Sequence, residues 1–277
     1  MTTLKAEVLG IGDELVDGQA LDTNSKWLAQ ELALLGLQVD RFTVVRDDQG
    51  ALQKAIQEAC ARASVVIATG GLGPTEDDRT REAAAAAACS ELSFHEASWQ
   101  HIQEMFQSRG RKVHDSNRRQ AFLPASAEVI SNNWGTAPGF AVKIGNAMFY
   151  ALPGVPREMR RMFSAAVAAQ LRQQGTGAGA GQPLHFHNLY VLGCSEASLG
   201  QRIGEFMCHG PDRETRVGET RVGVTASWGL LTIRIAARSV AAAAATAAEI
   251  RPRLGRLLVC EGQQDLVSQV GRELIQQ

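Results

Sequence analysis

The sequence predicts an α/β protein in which a larger domain with a mostly parallel sheet precedes a small α+β domain. In the first half of the chain, short apolar runs alternate with amphipathic segments of helical spacing. Strands separated by helices of this length imply right-handed crossovers, and therefore a parallel sheet. A glycine-dense stretch at residues 175–183, "GTGAGAGQP", marks a linker. The chain after it follows a β-α-β-β-α-β order, which is typical of a ferredoxin-like split sandwich.

The first strands and helices follow from the apolar spacing and from the residues that begin and end helices. Asp22 is a natural N-cap for the first long helix and Gly36 is its terminator, while the second long helix begins near Asp48. Strands are predicted around these helices at residues 6–11, 37–45 and 64–69. The third strand leads directly into the stretch "TGGLGPTEDDRT" at residues 69–80.

Further patterns complete the first domain, which we place at residues 1–174. The six alanines at residues 83–88 indicate a tightly packed helix, and the amphipathic segment "ASWQHIQEMFQSRG" follows them. The runs "AEVI", "GFAVKI" and "AMFYAL" predict three more strands. Pro156 opens a helix that ends before Gly175.

The second domain is predicted at residues 184–262. Its four strands are "FHNLYVLG", "RVGVTA", "LLTIRIAA" and "RLLVC", and its two helices are "SEASLGQRIGEFM" and "VAAAAATAAEIRPRLG". The last residues, 263–277, place apolar side chains on one helical face. Such a helix needs a surface to pack against.

Composition excludes several classes of function. The chain has 277 residues, of which 45% are hydrophobic, and 28 basic residues balance 29 acidic ones to a net charge of −1. The broad basic footprint of a nucleic-acid binder is missing, so we expect no nucleic-acid partner. No apolar run reaches the ~18–20 residues of a membrane span, and no signal segment opens the chain. We therefore expect a soluble, cytoplasmic protein.

Unusual chemistry follows three of the predicted parallel strands. Acids and an amide, "GDELVDGQALDTN", come after the first strand, "RDD" after the second, and the glycine loop with "TEDD" after the third. The carboxyl ends of parallel strands share one edge of a sheet. Glycine amides on one side and carboxylates on the other suit a phosphate ligand that is bound together with a divalent cation. The helix that begins near Thr80 would add attraction for the anion.

Structural roles explain part of the same pattern. The loop matches neither G-x-x-x-x-G-K-[ST] nor G-x-G-x-x-G, so its glycines alone are equally compatible with an ordinary turn between strand and helix. Thr75 and Asp78 could form a capping box. Asp22 and Asp48 are expected to be N-caps whatever else they do.

Five segments resemble, in order and spacing, the signature blocks of the CinA (competence/damage-inducible) family. They are "GDELVDGQALDTNSKWLAQELALLGLQV", "TGGLGPTEDDRTREA", "NRRQAFLP", "NNWGTAPGF" and "ALPGVPREM". The resemblance implies the three-layer molybdopterin-binding fold of the MoaB/MogA group, followed by a KH-like α+β module. Members of the family continue into a nicotinamide mononucleotide deamidase domain. We therefore expect residues 263–277 to be the start of a domain that this chain lacks, and no deamidase activity.

The resemblance also implies an activity: hydrolysis of the pyrophosphate bond of ADP-ribose to AMP and ribose 5-phosphate, with Mg²⁺, Mn²⁺ or Co²⁺. A carboxylate-held metal would neutralise the leaving oxygens and activate a water. The residues expected to be catalytic are Asp78, Asp47 and Asp13, and those expected to hold the metal are Asp77 and Asp78. The residues expected to bind substrate are Gly70, Gly71, Gly73, Thr75, Asp22, Asn24 and Glu158.

Two other functions stay open at the level of the sequence. The first domain could be a non-catalytic module that binds a pterin or a nucleotide, because a fold does not decide a function. It could also be a hydrolase of FAD-type dinucleotides. In the hydrolase interpretations the partner is a small-molecule dinucleotide, and the family resemblance suggests that the chain forms a homodimer.

Overall fold

The structure is a computed structural model that describes residues 4–175, 183–207, 220–227 and 229–262. The chain forms two compact units, Met1–Gly181 and Gln182–Gln277. Residues 176–182 of the predicted linker and the helix predicted at 263–277 lie outside the described residues. Across the described ranges, no helix has the length and apolar character to cross a membrane.

The first unit contains eight described strands and seven described α-helices. Its strands are β1 (Lys5–Ile11), β2 (Gln38–Val45), β3 (Val65–Thr69), β4 (Leu92–Phe94), β5 (Phe122–Pro124), β6 (Glu128–Ile130), β7 (Gly139–Ile144) and β8 (Ala147–Leu152). Its helices are α1 (Asp13–Val16), α2 (Thr23–Leu34), α3 (Gln49–Arg62), α4 (Thr80–Ala87), α5 (Glu96–Ser108), α6 (Pro156–Met162) and α7 (Ala168–Gly175).

Six strands form the main sheet of this unit, in the order β2-β1-β3-β8-β7-β6. The first four run parallel to one another, whereas β7 and β6 are antiparallel to their neighbours. The prediction of a mostly parallel sheet is therefore confirmed. Strands β4 and β5 pair separately as a two-stranded sheet that the sequence analysis did not predict.

Helices cover both faces of the main sheet, and the alternation along β1 explains why. Val8 is fully buried in one core cluster together with Leu28 of α2. Leu9 is fully buried in the other cluster together with Leu52 and Ile56 of α3. Because successive side chains of a strand point to opposite faces, one apolar strand serves both cores. The result is the predicted three-layer arrangement.

The alanine run was predicted to be a tightly packed helix, and in the structure this helix, α4, packs against α3. Ala83 and Ala84 have no exposed surface. Small side chains let the backbones of two helices approach closely, so this run contributes contact area rather than a chemical group.

The helix predicted to begin at Pro156 is interrupted by a wider turn. Helix α6 passes into a π-helical turn at Phe163–Val167, which continues as α7. Such turns contain i→i+5 hydrogen bonds and are rare. Met162, Phe163 and Val167 are nevertheless buried in the cluster beneath α2.

The second unit has its own sheet and its own core. It contains β9 (His185–Val191), α8 (Glu196–Ile203), β10 (Thr220–Ser227), β11 (Leu230–Ala237), α9 (Val240–Leu254) and β12 (Leu258–Gly262). The four strands are antiparallel in the order β10-β11-β9-β12, which is the ferredoxin-like split order. The predicted architecture of this part is confirmed.

Candidate ligand site at the carboxyl edge of the sheet

The loops after the parallel strands of the first unit meet at one edge of the sheet. The amide of Gly12, after β1, donates to the carbonyl of Val45 at the end of β2 over 3.1 Å. The amide of Gly70, after β3, donates to the carbonyl of Leu152 at the end of β8, also over 3.1 Å. The structure therefore brings together the loops that the sequence analysis singled out, and it adds the loop after β8.

The first half of the glycine loop depends on two residues without side chains. Gly70 and Gly71 have φ angles of +114° and +65°. A Cβ atom would lie 2.2 Å from the carbonyl oxygen of Ile11 at Gly70, and 2.2 Å from the hydroxyl oxygen of Thr80 at Gly71. Both the conformation and the close approach require glycine here. Thr80 in turn donates its hydroxyl to the carbonyl of Gly70 over 2.9 Å.

The carboxylate of Asp78 faces the amides of its own loop. It accepts hydrogen bonds from the amide of Gly73 over 2.8 Å, from the amide of Thr75 over 2.9 Å, and from the hydroxyl of Thr75. Asp77 is exposed, and a hydrogen bond with the Thr75 side chain lowers its pKa. The contact between Thr75 and Asp78 lies before α4, which begins at Thr80, so Asp78 closes the loop rather than capping this helix.

Beneath the same loop lies Arg81, which the sequence analysis missed. Only 1% of this residue is exposed. Its guanidinium donates to the carbonyls of Leu72, Gly73 and Asp78 over 2.6, 2.9 and 3.5 Å. Burial lowers the pKa of the guanidinium, and the charges of Glu82 and Asp78 oppose that shift. No signal in the sequence separates this arginine from a solvated one in the first turn of a helix.

The side chain of Asn24 connects α2 to the ends of two strands. Its amide nitrogen donates to the hydroxyl of Thr69 over 3.0 Å and to the carbonyl of Gly154 over 2.7 Å. Its buried Oδ1 atom has no hydrogen-bond partner in the described part of the chain. Asp22 instead accepts from the amide and hydroxyl of Ser25 over 2.8 and 2.5 Å, as expected for an N-cap.

Asp13 and Asp47, at the ends of β1 and β2, are joined by two hydrogen bonds between the backbone amide of one and the carboxylate of the other. The amide of Asp13 donates to Asp47 over 3.1 Å, and the amide of Asp47 donates to Asp13 over 3.4 Å. Burial raises the pKa of Asp47 to about 6; the hydrogen bond from Asp13 opposes this shift, and the charges of Asp13, Asp78 and Glu14 reinforce it. Arg46 approaches Asp13 to 3.4 Å. Asp13 and Asp47 lie in one region, but each carboxylate accepts a hydrogen bond from a backbone amide of the protein.

Glu158 organises a neighbouring loop together with Asn132. Asn132 donates to Glu158 over 2.8 Å and to the carbonyl of Ala137 over 2.9 Å, and it accepts from the amides of Trp134 and Gly135 over 3.0 and 2.9 Å. Asn132 was not predicted from the sequence. The signal was present, because an asparagine whose side chain can accept from the amide two residues further on, here that of Trp134, is typical of an Asx turn.

The residues predicted to hold a metal, Asp77 and Asp78, are not part of a larger group of metal ligands in the described part of the chain. Both oxygens of Asp78 already accept hydrogen bonds from the loop. Within the residues that the structure describes, no three His, Cys, Asp or Glu side chains come together as a metal-binding group. Mg²⁺ and similar ions need several oxygen ligands around one point. The divalent metal therefore stays an untested prediction, without support from this geometry.

Comparison with known proteins defines the class. A family model described as a probable molybdopterin binding domain matches residues 7–173. The crystal structure of the protein CinA from Thermoplasma acidophilum, whose function is stated to be unknown, is similar over 61% of this chain and 98% of its own, with 31% identity and a TM-score of 0.57. The chain belongs to the family of molybdopterin-binding domains, in its CinA-like group.

Curated relatives support the same assignment and are longer than this chain. A CinA-like protein of Dictyoglomus thermophilum is 35% identical over 269 residues, which are 95% of this chain and 62% of the relative. A putative competence-damage inducible protein of Clostridium novyi is 34% identical over 278 residues, covering 98% of this chain and 64% of the relative. The chain thus spans less than two thirds of the length of these relatives.

The predicted hydrolase activity is wrong by the same comparisons. The family match names a molybdopterin-binding domain and the relatives are named CinA-like or competence-damage inducible; none of these names is that of an ADP-ribose pyrophosphatase or a dinucleotide hydrolase. The geometry gives a physical reason, because the loop itself occupies the carboxylate of Asp78. The catalytic roles of Asp78, Asp47 and Asp13 depended on that activity and fall with it.

Proposed function

We propose that the first unit binds a molybdopterin-type ligand, a pterin that carries a phosphate monoester, at the carboxyl edge of its sheet, and that it holds this ligand without cleaving it. The family match over residues 7–173 supports the class of ligand. The convergence of the loops after β1, β2, β3 and β8 supports the position, because open parallel sheets bind ligands beyond the carboxyl ends of their strands.

The observation that carries the proposal is the buried carbonyl oxygen of Asn24. This atom has no partner among the described protein atoms, although the amide nitrogen of the same side chain makes two hydrogen bonds. A buried acceptor that is left unpaired costs roughly 1–3 kcal/mol. A pterin ring carries several N–H donors. Because the atom is buried, a ligand donor would reach it only if the surrounding loops move, and the new hydrogen bond would then offset this cost.

The glycine loop suits the phosphate of such a ligand. Gly71 and Gly73 present backbone without side chains between β3 and α4. No side chain caps the first turn of α4, which follows Arg79. The free amides of a helix N-terminus carry partial positive charge and favour an anion. The pterin would then lie towards Asn24 and the phosphate towards the loop.

The proposal replaces the dinucleotide expected from the resemblance with a smaller ligand. The homodimer, the cytoplasmic location, and the absence of nucleic-acid and membrane partners are carried forward as predictions. Substrate-binding roles for Gly70, Gly71, Gly73, Thr75, Asp22, Asn24 and Glu158 are carried forward in the same way, now towards a phosphorylated pterin.

A fluorescence titration with a pterin phosphomonoester tests the proposal. We expect saturable binding by the wild-type chain, with the pterin recovered intact and with the same affinity in EDTA and in Mg²⁺. Gly71→Ala should weaken binding at least about tenfold, which is about 1.4 kcal/mol. The added methyl group would collide with Thr80 and disturb the loop.

Gly145→Ala is the matched control for this titration. Gly145 also has a positive φ, +59°, in the turn between β7 and β8, but a Cβ there meets no atom within 4 Å. This variant has the same backbone strain without the collision, and it should bind like the wild type. Equal weakening in both variants, or no saturable binding by the wild type, would show that the edge is not a site for this ligand. If AMP saturates the site and the pterin does not, the site binds nucleotides rather than pterins.

A further inference from the structure

The guanidinium of Arg81 and the carboxylate of Asp78 form hydrogen bonds with the glycine loop from opposite sides. Arg81 is buried and donates to carbonyls, whereas Asp78 is partly exposed and accepts from amides. Among the described residues, no carboxylate oxygen forms an ion pair with Arg81. Its direct partners are therefore the carbonyls of the loop.

One peptide group shows the consequence most clearly. The carbonyl of Leu72 and the amide of Gly73 belong to the same trans peptide, so they point in opposite directions. The carbonyl accepts from Arg81 over 2.6 Å, and the amide donates to Asp78 over 2.8 Å. With both ends held, the plane of this peptide cannot rotate without breaking a charge-assisted hydrogen bond.

The same hydrogen bonds determine the directions in which the carbonyls and the amides of the loop point. Arg81 draws three carbonyls towards the interior, those of Leu72, Gly73 and Asp78. The amides of Gly73 and Thr75 face the carboxylate of Asp78 on the partly exposed side. The amides of Gly73 and Thr75 are therefore already paired with a carboxylate of the chain, so the phosphate of the proposed ligand would contact other backbone groups at this edge.

We infer that Arg81 is a positioning residue for the ligand site: from beneath the glycine loop, without touching the ligand, it fixes the conformation of the loop and with it the position of the backbone beside which the anionic group of the ligand would lie. This inference rests on the proposed function for the nature of the ligand. The hydrogen bonds from Arg81 to the loop do not depend on the proposed function. A lysine would keep the charge but would not reproduce the planar fork that serves several carbonyls at once.

Amide hydrogen exchange tests the hold on the loop, using the full chain without ligand. In Arg81→Met and in Arg81→Lys, we expect the amide of Gly73 to exchange at least about tenfold faster, because its peptide plane loses the hydrogen bond between the carbonyl of Leu72 and the guanidinium. Arg62→Met is the matched control. Arg62 pairs with the buried Glu7 over 2.8 Å on the amino half of β1, so its loss perturbs the first unit without contacting the loop.

The ligand readout is a ratio of affinities, for a pterin phosphomonoester against the same pterin without phosphate. We expect this ratio to fall at least about fivefold in both Arg81 variants and to be kept in Arg62→Met. A purely structural loss would weaken both ligands equally and leave the ratio unchanged, which would overturn the inference. Unchanged exchange in Arg81→Met, or wild-type exchange in Arg81→Lys, would also overturn it. If the wild type binds neither pterin, the proposed function fails and the exchange measurement alone decides the role of Arg81.

Discussion

Asp47 lies among other acids at the sheet edge, and burial raises its pKa to about 6 from an ordinary value of 3.8. The folded protein therefore holds a proton on this group more tightly than the unfolded chain does. Stability falls as the pH rises from about 3.8 to about 6, and the full penalty is present above that range. Asp78 and Glu14 contribute to this penalty through their charge.

Asp47→Asn should remove the pH-dependent penalty. We expect the variant to melt at a higher temperature than the wild type at pH 8, with the difference shrinking towards pH 4. Thermal denaturation across this range, followed by circular dichroism, measures the effect. Glu104→Gln, an exposed acid of α5, reports what the loss of one charge does elsewhere. A gain in melting temperature for Asp47→Asn that is constant with pH would contradict the assignment.

At the level of single residues, the sequence predicts which side chains reach the sheet edge better than it predicts what they contact. Asn24, Asp47 and Asp78 follow strands and were expected there. The observed contacts of the carboxylates differ from the predicted ones. A carboxylate can bind either a metal or the amides of its own loop, and spacing along the chain does not distinguish the two. Arg81 was missed because its burial depends on how α4 packs, which one sequence does not show.

Among the elements, those with long periodic patterns are predicted best. Helices α2 and α3 carry a capping aspartate and several turns of apolar spacing, and both of their N-caps are present in the structure. Strands β4 and β5 have three residues each, so no alternation can be recognised in them. Their pairing depends on tertiary contacts between segments that are about 30 residues apart.

On the scale of the whole molecule, the two units have separate cores. Buried clusters of the first unit contain residues only from its own elements, and the cluster around Leu189 and Ile233 contains only residues of the second. Every residue of the candidate site lies in the first unit. A unit with its own core is expected to fold alone.

A fragment that covers Met1–Gly181 should therefore keep the ligand site. We expect it to unfold cooperatively and to bind the pterin phosphomonoester within about twofold of the affinity of the full chain. Calorimetry and the fluorescence titration measure the two properties. An unfolded fragment, or a loss of binding in a folded one, would show that the second unit completes the site. Light scattering of the full chain tests the predicted homodimer independently.

The π-helical turn after α6 affects how many residues the helix needs to keep its buried side chains on one face. Met159, Phe163, Val167 and Leu171 are all buried in one cluster, at steps of four residues. In an ordinary helix a step of four overshoots a full turn by about 40°, so three such steps would carry Leu171 about 120° away from Met159. The wider turn absorbs this drift and keeps one face towards the sheet.

Without Ala165, the same four side chains would stand at i, i+4, i+7 and i+11, which is the stripe of an ordinary amphipathic helix. The helix thus contains one surplus residue that its apolar face does not need. Deletion of Ala165 should leave the melting temperature near that of the wild type, whereas deletion of Ala55 from the regular helix α3 should unfold the unit. The chain is therefore expected to tolerate the loss of one residue inside this helix, whereas changes of length are usually confined to loops.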